Sequence, residues 1–191
     1  LGSVTVLATD KTGTLTQAQM VVEQLWTPQH HVTVSGDGYA PEGDLSAAGS
    51  RVDAEQLPDV VELLRAAALC NDATRHGHNG TDENDPPATA NPWVGDPTET
   101  ALVLAAHAGG LDKDQLEHVC PRVQEQPFDS DRKRMSVLYR QPGGELAVYV
   151  KGAPDIILDL CTRSLKGGLA VPLAKWEREE ILNRNSELAD Q

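Results

Sequence analysis

Aromatic side chains are scarce in this sequence. Phe, Trp and Tyr together make up 4% of its 191 residues, and Phe occurs once, at position 128. Cysteine is nearly as rare: Cys70, Cys120 and Cys161 are widely separated and show no CxxC spacing. An odd, scattered set excludes a disulfide framework and a zinc ribbon, and points to free thiols in a reducing compartment. Long apolar runs are missing as well. The longest, at 60–69 and 100–108, are interrupted by Glu62, Arg65 or His107 and fall short of the roughly 18–20 residues that span a bilayer. Basic residues are outnumbered, 16 against 29 acidic, for a net charge of −13. A nucleic-acid binder needs the opposite sign, so no nucleic-acid partner is expected. A polyanionic ligand would have to find a local basic cluster, and the only dense one is Arg132-Lys133-Arg134. His76-Gly77-His78 has no cysteine or carboxylate at ligand spacing and reads as loop composition.

What remains is ordinary for a soluble monomeric domain: 39% hydrophobic and 24% charged residues. The length suits one sizeable core, or one domain plus a piece of another. Leu1-Gly2-Ser3 offers neither a Met nor a basic leader, and the expectation is a segment excised from a longer chain. Residues 4–9 are apolar and β-branched and run into a Gly/Thr-rich turn, the pattern of a buried strand. Strands are expected at 20–26 and 31–35, a loop at 36–50, and a helix at 54–70 capped by Asp53. That helix would bury Leu57, Val60, Val61, Leu64 and Ala68 on one face. Residues 72–92, rich in Asp, Asn, Gly and Pro, predict a mobile loop. Asp96-Pro97-Thr98-Glu99 has the chemistry of a helix start, with Asp96 as N-cap and Glu99 at the reciprocal capping-box position. That helix would run to 108 and a shorter one from Asp112 to 118. Strands at 123–126, 135–140 and 145–150 and helices at 154–161 and 174–188 complete the reading. The fold class expected is α+β, an antiparallel β-sheet flanked by helices.

The segment Asp10-Lys11-Thr12-Gly13-Thr14-Leu15-Thr16 follows the first strand directly. A carboxylate at the carboxyl end of a buried strand sits where open α/β sheets place ligands. Gly13 lets the backbone approach a phosphate, and the hydroxyls of Thr12, Thr14 and Thr16 can hydrogen-bond its oxygens. Lys11 adds positive charge. Such a carboxylate can attack a phosphoryl group and form an acyl phosphate. Phosphatases of the haloacid dehalogenase superfamily carry a second Asp two residues on, as general acid and base; here that position is Thr12. An acyl phosphate without that carboxylate is hydrolysed slowly.

The heptapeptide resembles the signature of the P-type cation-transporting ATPases. Four further segments resemble the nucleotide-binding domain of the calcium-pump-like subgroup, in the family order: Ala67 to Asp72, Val94 to Glu99, Phe128 to Val137, and Lys151 to Asp155. The resemblance implies an aspartyl-phosphate on Asp10, with Lys11 and Thr12 in the catalytic loop and Mg2+ held by Asp10 and Thr12 in the intact parent. It implies that residues 1–19 begin a haloacid dehalogenase-like phosphorylation domain and that 20–191 form the ATP-binding domain. Phe128 would stack on adenine, and Glu99 would contact the adenine amino group or organise the pocket. Lys133, Lys151 and Arg132 would bring positive charge, Gly152 would leave room for the ring, and Asp96 belongs to the same set. The calcium pumps often have Arg two residues after the Phe, where this chain has Ser130.

The family's magnesium segment, dephosphorylation loop and membrane helices do not occur in this sequence. The expectation is therefore a cytoplasmic piece of an integral membrane protein that works with phosphorylation, actuator and membrane domains. By itself it would bind adenine nucleotide weakly and transfer phosphate poorly or not at all. A haloacid dehalogenase-type phosphatase fails on Thr12. An acidic interaction domain, docking through residues 72–85, leaves the four ordered motifs unexplained.

Overall fold

The computed structural model describes residues 20–36, 43–75 and 92–190. The expected strand at 4–9, with Asp10, Lys11 and Thr12 behind it, lies outside the described residues. The elements run β1 (Gln24–Trp26), β2 (His31–Val34), β3 (Leu45–Ala47), β4 (Ser50–Arg51), a 3-10 turn (Ala54–Gln56), α1 (Pro58–Leu69), β5 (Thr74–Arg75) and β6 (Trp93–Val94). They continue through α2 (Pro97–Ala108), α3 (Lys113–Val119), β7 (Arg122–Asp129), β8 (Arg134–Arg140), β9 (Leu146–Gly152), α4 (Pro154–Leu160), β10 (Arg163–Lys166), β11 (Leu169–Pro172) and α5 (Lys175–Ala189). The architecture is α+β, and every strand pairing described is antiparallel. Instead of one sheet, the described strands form a four-stranded sheet β1-β2-β3-β4, a three-stranded sheet β7-β8-β9, and the ribbons β5-β6 and β10-β11.

Helix α1 meets both larger sheets, the first through an apolar stripe along one face and the second at its carboxyl end. Val60, Leu64 and Ala68 are fully buried at helical spacing and pack with Leu25, Val32 and Leu45 of the first sheet and Ala105 and Ala106 of α2. At the other end Leu69 and Cys70 pack with Cys120 and with Met135, Val137 and Tyr139, the alternate residues of β8. Asp59 is buried on the first turn of α1, accepting a hydrogen bond from the Thr27 hydroxyl and lying 2.9 Å from His30 Nδ1. Burial pushes its carboxyl up, but the bonds from Thr27 and His30 outweigh that and hold it below the usual carboxylate range. The β1–β2 turn is thereby tied to the helix start.

Three local readings change. Asp53 caps the 3-10 turn, accepting from Glu55 N–H at 3.0 Å, while Pro58 opens α1 without a side-chain cap. Within the loop expected at 36–50, β3 and β4 form a hairpin whose turn residues Ala48 and Gly49 both have positive φ, 50° and 77°. Such a turn matches strand twist but is signalled by Asn-Gly or Asp-Gly, not Ala-Gly. At the ends of the expected loop at 72–92, Thr74 pairs with Val94 and Arg75 with Trp93; residues 76–91 lie outside the described residues. Further along, Gly167 and Gly168, both with positive φ, form the turn of the β10–β11 hairpin.

Candidate functional site

The three-stranded sheet turns back on itself between Asp129 and Arg134, and the turn gathers much of the expected site. Across the sheet Asp129 pairs with Arg134, Arg134 with Gly152, and Met135 with Lys151. Phe128, the turn residues Arg132 and Lys133, Lys151 and Gly152 therefore share one end of the sheet. Phe128 is 63% exposed and lies in a stretch where the β7–β8 register shifts, between Gln126 and Asp129. A lone Phe is commonly a core residue, and this one contributes little to the core.

Glu99, on the first turn of α2, reaches the same end from the helix side. Its Oε1 pairs with Lys151 Nζ at 2.5 Å, and its Oε2 accepts the Asp72 N–H at 3.1 Å. Both side chains of the pair are largely buried. The capping box expected at Glu99 is not made. Asp96 alone caps α2, accepting the Thr98 N–H at 2.8 Å, and the Glu99 carboxylate is turned to Lys151 and Asp72 instead. Asp72 in turn pairs with Arg122 Nη2 at 2.6 Å, and Arg122 reaches Glu125 on its own strand. A run of polar contacts thus links Lys151, Glu99, Asp72, Arg122 and Glu125 along this side of the molecule, the two carboxylates Glu99 and Asp72 being joined through the Asp72 N–H.

Asn71 holds the centre of that band, a role the sequence did not announce beyond its place beside Asp72. It is fully buried. Its Nδ2 donates to Ala67 O and Glu99 O at 3.1 and 2.8 Å, and its Oδ1 accepts the Ala73 N–H at 2.8 Å. A buried Lys113 donates to Ala73 O at 2.7 Å, and the Tyr139 hydroxyl lies 2.8 Å from Leu69 O and 2.9 Å from Glu117 Oε1. Burial, with Glu117 beside it, pushes the Tyr139 hydroxyl above its usual pKa. Residues 69–73 are held by hydrogen bonds with the Asn71, Lys113 and Tyr139 side chains, which is how the Asp72 N–H is aimed at Glu99. Cys70, beneath Lys151, is a buried thiol pushed up by burial, with the Lys151 charge opposing. It is packed away as an apolar group.

Two expected contributors take other positions. Arg132 and Lys133 lie in a turn, residues 130–133, in which Lys133 has a φ of 51°. Gly152 faces that turn. A Cβ there would fall on the Lys133 carbonyl and lie 2.7 and 2.8 Å from Arg134 Cβ and Cα, so its missing side chain makes room for backbone. Lys133 makes no ion pair with the described residues.

A family model described as P-type ATPase, cytoplasmic domain N, matches residues 59–191. Over 188 residues the chain is 38% identical to the cation-transporting ATPase pma1 of a Synechocystis species, covering 94% of this chain and 19% of that protein. It is 32% identical over 185 residues to the calcium-transporting ATPase of Bacillus subtilis, covering 95% and 20%. To the sodium/potassium exporting P-type ATPase cta3 of Schizosaccharomyces pombe it is 33% identical over 210 residues, covering 99% and 19%. The chain thus spans about a fifth of the length of these relatives. No helix among the described residues is long and apolar enough to cross a membrane. With the family matched over more than half of its residues, the chain belongs to the P-type cation-transporting ATPases and carries their cytoplasmic N domain.

Proposed function

We propose that the sheet end bearing Phe128 binds the adenine ring of ATP, and that residues 20–191 form the nucleotide-binding domain of an ion-translocating ATPase. The observation that carries this reading is one convergence. The only Phe of the chain stands 63% exposed at the sheet end where Lys133 makes no ion pair with the described residues and Lys151 is set by Glu99. Phe128 offers a stacking face, and Lys133 offers charge to phosphate in an otherwise acidic protein. Lys151 is already neutralised by Glu99, so the pair would serve to orient the base more than to attract phosphate. Asp96 and Gly152 support the site from the helix start and the turn.

Residues 1–19 would belong to the phosphorylation domain of the parent. There Asp10 would accept the γ-phosphoryl group beside Lys11 and Thr12, with Mg2+ held by Asp10 and Thr12. Among the described residues no group of His, Cys, Asp or Glu is arranged to hold a metal ion, so the magnesium assignment rests on those two residues. Phosphoryl transfer is mostly positioning and charge neutralisation, and this chain without its parent's other domains would bind nucleotide but not become phosphorylated. Incubation with γ-labelled ATP is expected to leave no hydroxylamine-sensitive label on the chain.

Binding should be weak, because about −4 kcal/mol, a millimolar dissociation constant, is what one stacked base and a few charged contacts supply. ATP, ADP and AMP are expected to bind with similar affinity. In an amide NMR titration the shifts should gather at Glu99, Phe128, Lys133 and Lys151. Phe128→Ala should weaken binding tenfold or more while stability stays within about 0.5 kcal/mol. Affinity that depends steeply on the γ-phosphate, or survives Phe128→Ala, would sink the reading.

A further inference from the structure

Phe128 sits where the sheet holds its backbone least. The β7–β8 ladder loses register between Gln126 and Asp129, and Pro127, lacking an N–H, cannot donate to any strand. Something else must set the peptide that leads into Phe128. That carbonyl, Pro127 O, accepts a hydrogen bond at 2.9 Å from Arg132 Nη2, which also donates to Arg134 O at 3.2 Å. The same side chain thus ties the strand entering the turn to the strand leaving it. Around it the turn is closed from inside. Asp129 Oδ1 accepts the N–H groups of Asp131 and Arg132 at 3.0 and 2.8 Å, and Lys133 N–H donates to Asp129 O at 2.7 Å. Arg134 Nη1 donates to Arg132 O at 3.3 Å, and Ala153 N–H anchors Lys133 O at 3.0 Å.

We propose that Arg132 is a positioning residue of the adenine site: its guanidinium clamps Pro127 O and Arg134 O and so fixes the backbone carrying Phe128 and Lys133. Arg132 then acts through carbonyl oxygens, and does not serve as a phosphate ligand. This inference rests on the reading that Phe128 stacks on adenine. It also revises the part the basic cluster plays: Arg132 is withdrawn from the groups that would meet phosphate, and Lys133 is not.

A phosphate ligand and a positioning residue respond differently to charge and to phosphate number. Lys keeps the charge of Arg but its ammonium ends one bond short of the guanidinium nitrogens, and it has no planar fork. Arg132→Ala and Arg132→Lys, in the full 191-residue chain, would be titrated with AMP, ADP and ATP at about 0.15 M salt, where long-range charge effects are screened beyond roughly 8 Å. The expected result is a loss of about fivefold, the same for all three nucleotides and the same in both variants, with the free-state amide signals of Phe128 and Lys133 displaced. A loss that grows from AMP to ATP and is restored by Lys would make Arg132 a phosphate ligand and overturn the proposal. Unchanged affinity in both variants would overturn it as well. Phe128→Ala in the same series separates the two levels. If it leaves AMP binding intact, the adenine reading fails and the positioning role falls with it; if it abolishes AMP binding, the Arg132 variants decide the positioning role alone. Thermal melts on each variant, and Asp129→Asn as a milder loosening of the same turn, distinguish a local change from loss of the fold.

Discussion

The two ends of the β7-β8-β9 sheet reverse the chain by different means. At the far end, β8 and β9 are joined through Gln141 to Gly144, and backbone groups close the turn: Gln141 N–H donates to Glu145 O and Gly144 N–H to Gln141 O, both at 2.8 Å. A Cβ added at Gly143 or Gly144 would meet nothing within 4 Å. At the near end, Asp129 and Arg132 hold the turn with side-chain hydrogen bonds, a non-glycine residue takes a positive φ, and Gly152 has backbone against it. A hairpin needs none of these devices merely to turn. Their concentration beside an exposed Phe sets this turn apart from one that only returns the chain.

Matched glycine substitutions test that contrast most severely. Gly152→Ala puts a methyl group onto the Lys133 carbonyl and within 2.8 Å of Arg134 Cα, atoms of the backbone that cannot rotate aside. The expected cost is about 2–3 kcal/mol in urea denaturation, in the range of overpacked cores, with nucleotide binding lost. Gly143→Ala, in open space at the other end, should stay within about 0.5 kcal/mol and bind as before. Equal effects at the two positions would remove the distinction between the ends.

A smaller effect is expected at Asp129. Its carboxylate satisfies two turn N–H groups, as Asx turns do, and Asp129→Ala should cost about 1 kcal/mol while weakening AMP binding several-fold. Glu145→Ala, on the exposed far turn, is expected to alter neither quantity. Should Asp129→Ala lower stability without touching AMP affinity, the braced turn would be a folding device only.

Much of this arrangement was legible in the sequence, and the remainder fails for identifiable reasons. Helices α2 and α3 were readable because Asp96 and Asp112 announce their starts through local chemistry, each accepting an N–H two or three residues on. Strands β8 and β9 were readable from alternation and the Pro-Gly-Gly turn between them. What depended on residues distant in the chain was not. Glu99 looked like a capping-box residue because its neighbours fit one, yet Lys151 and Asp72 outcompete the local backbone for its carboxylate. Nothing in Asp-Arg-Lys-Arg says that the third of these takes a positive φ in the turn between β7 and β8. Gly152 was expected to admit a ligand ring, because a sequence shows that a side chain is absent and not what fills its place.

The smallest expected effect concerns Lys133 itself. At a φ of 51° an L-residue with a side chain is held in a region that costs roughly 1 kcal/mol relative to glycine. Lys133→Gly relieves that strain, and the greater freedom of glycine in the unfolded chain offsets much of the gain. The net change in stability is expected to be slight, within about 1 kcal/mol and towards greater stability. If the position exists only to turn the chain, glycine should be as good or better in every measurement. If it exists to present an ammonium group to phosphate, Lys133→Gly should lower affinity for ATP more than for AMP while leaving the Phe128 amide signal in place. That pattern is the reverse of the one expected for Arg132, whose loss should ignore the number of phosphates and displace Phe128. Two adjacent basic residues in one turn would then be separable by a single series of titrations: one placing the ring, the other reading the charge.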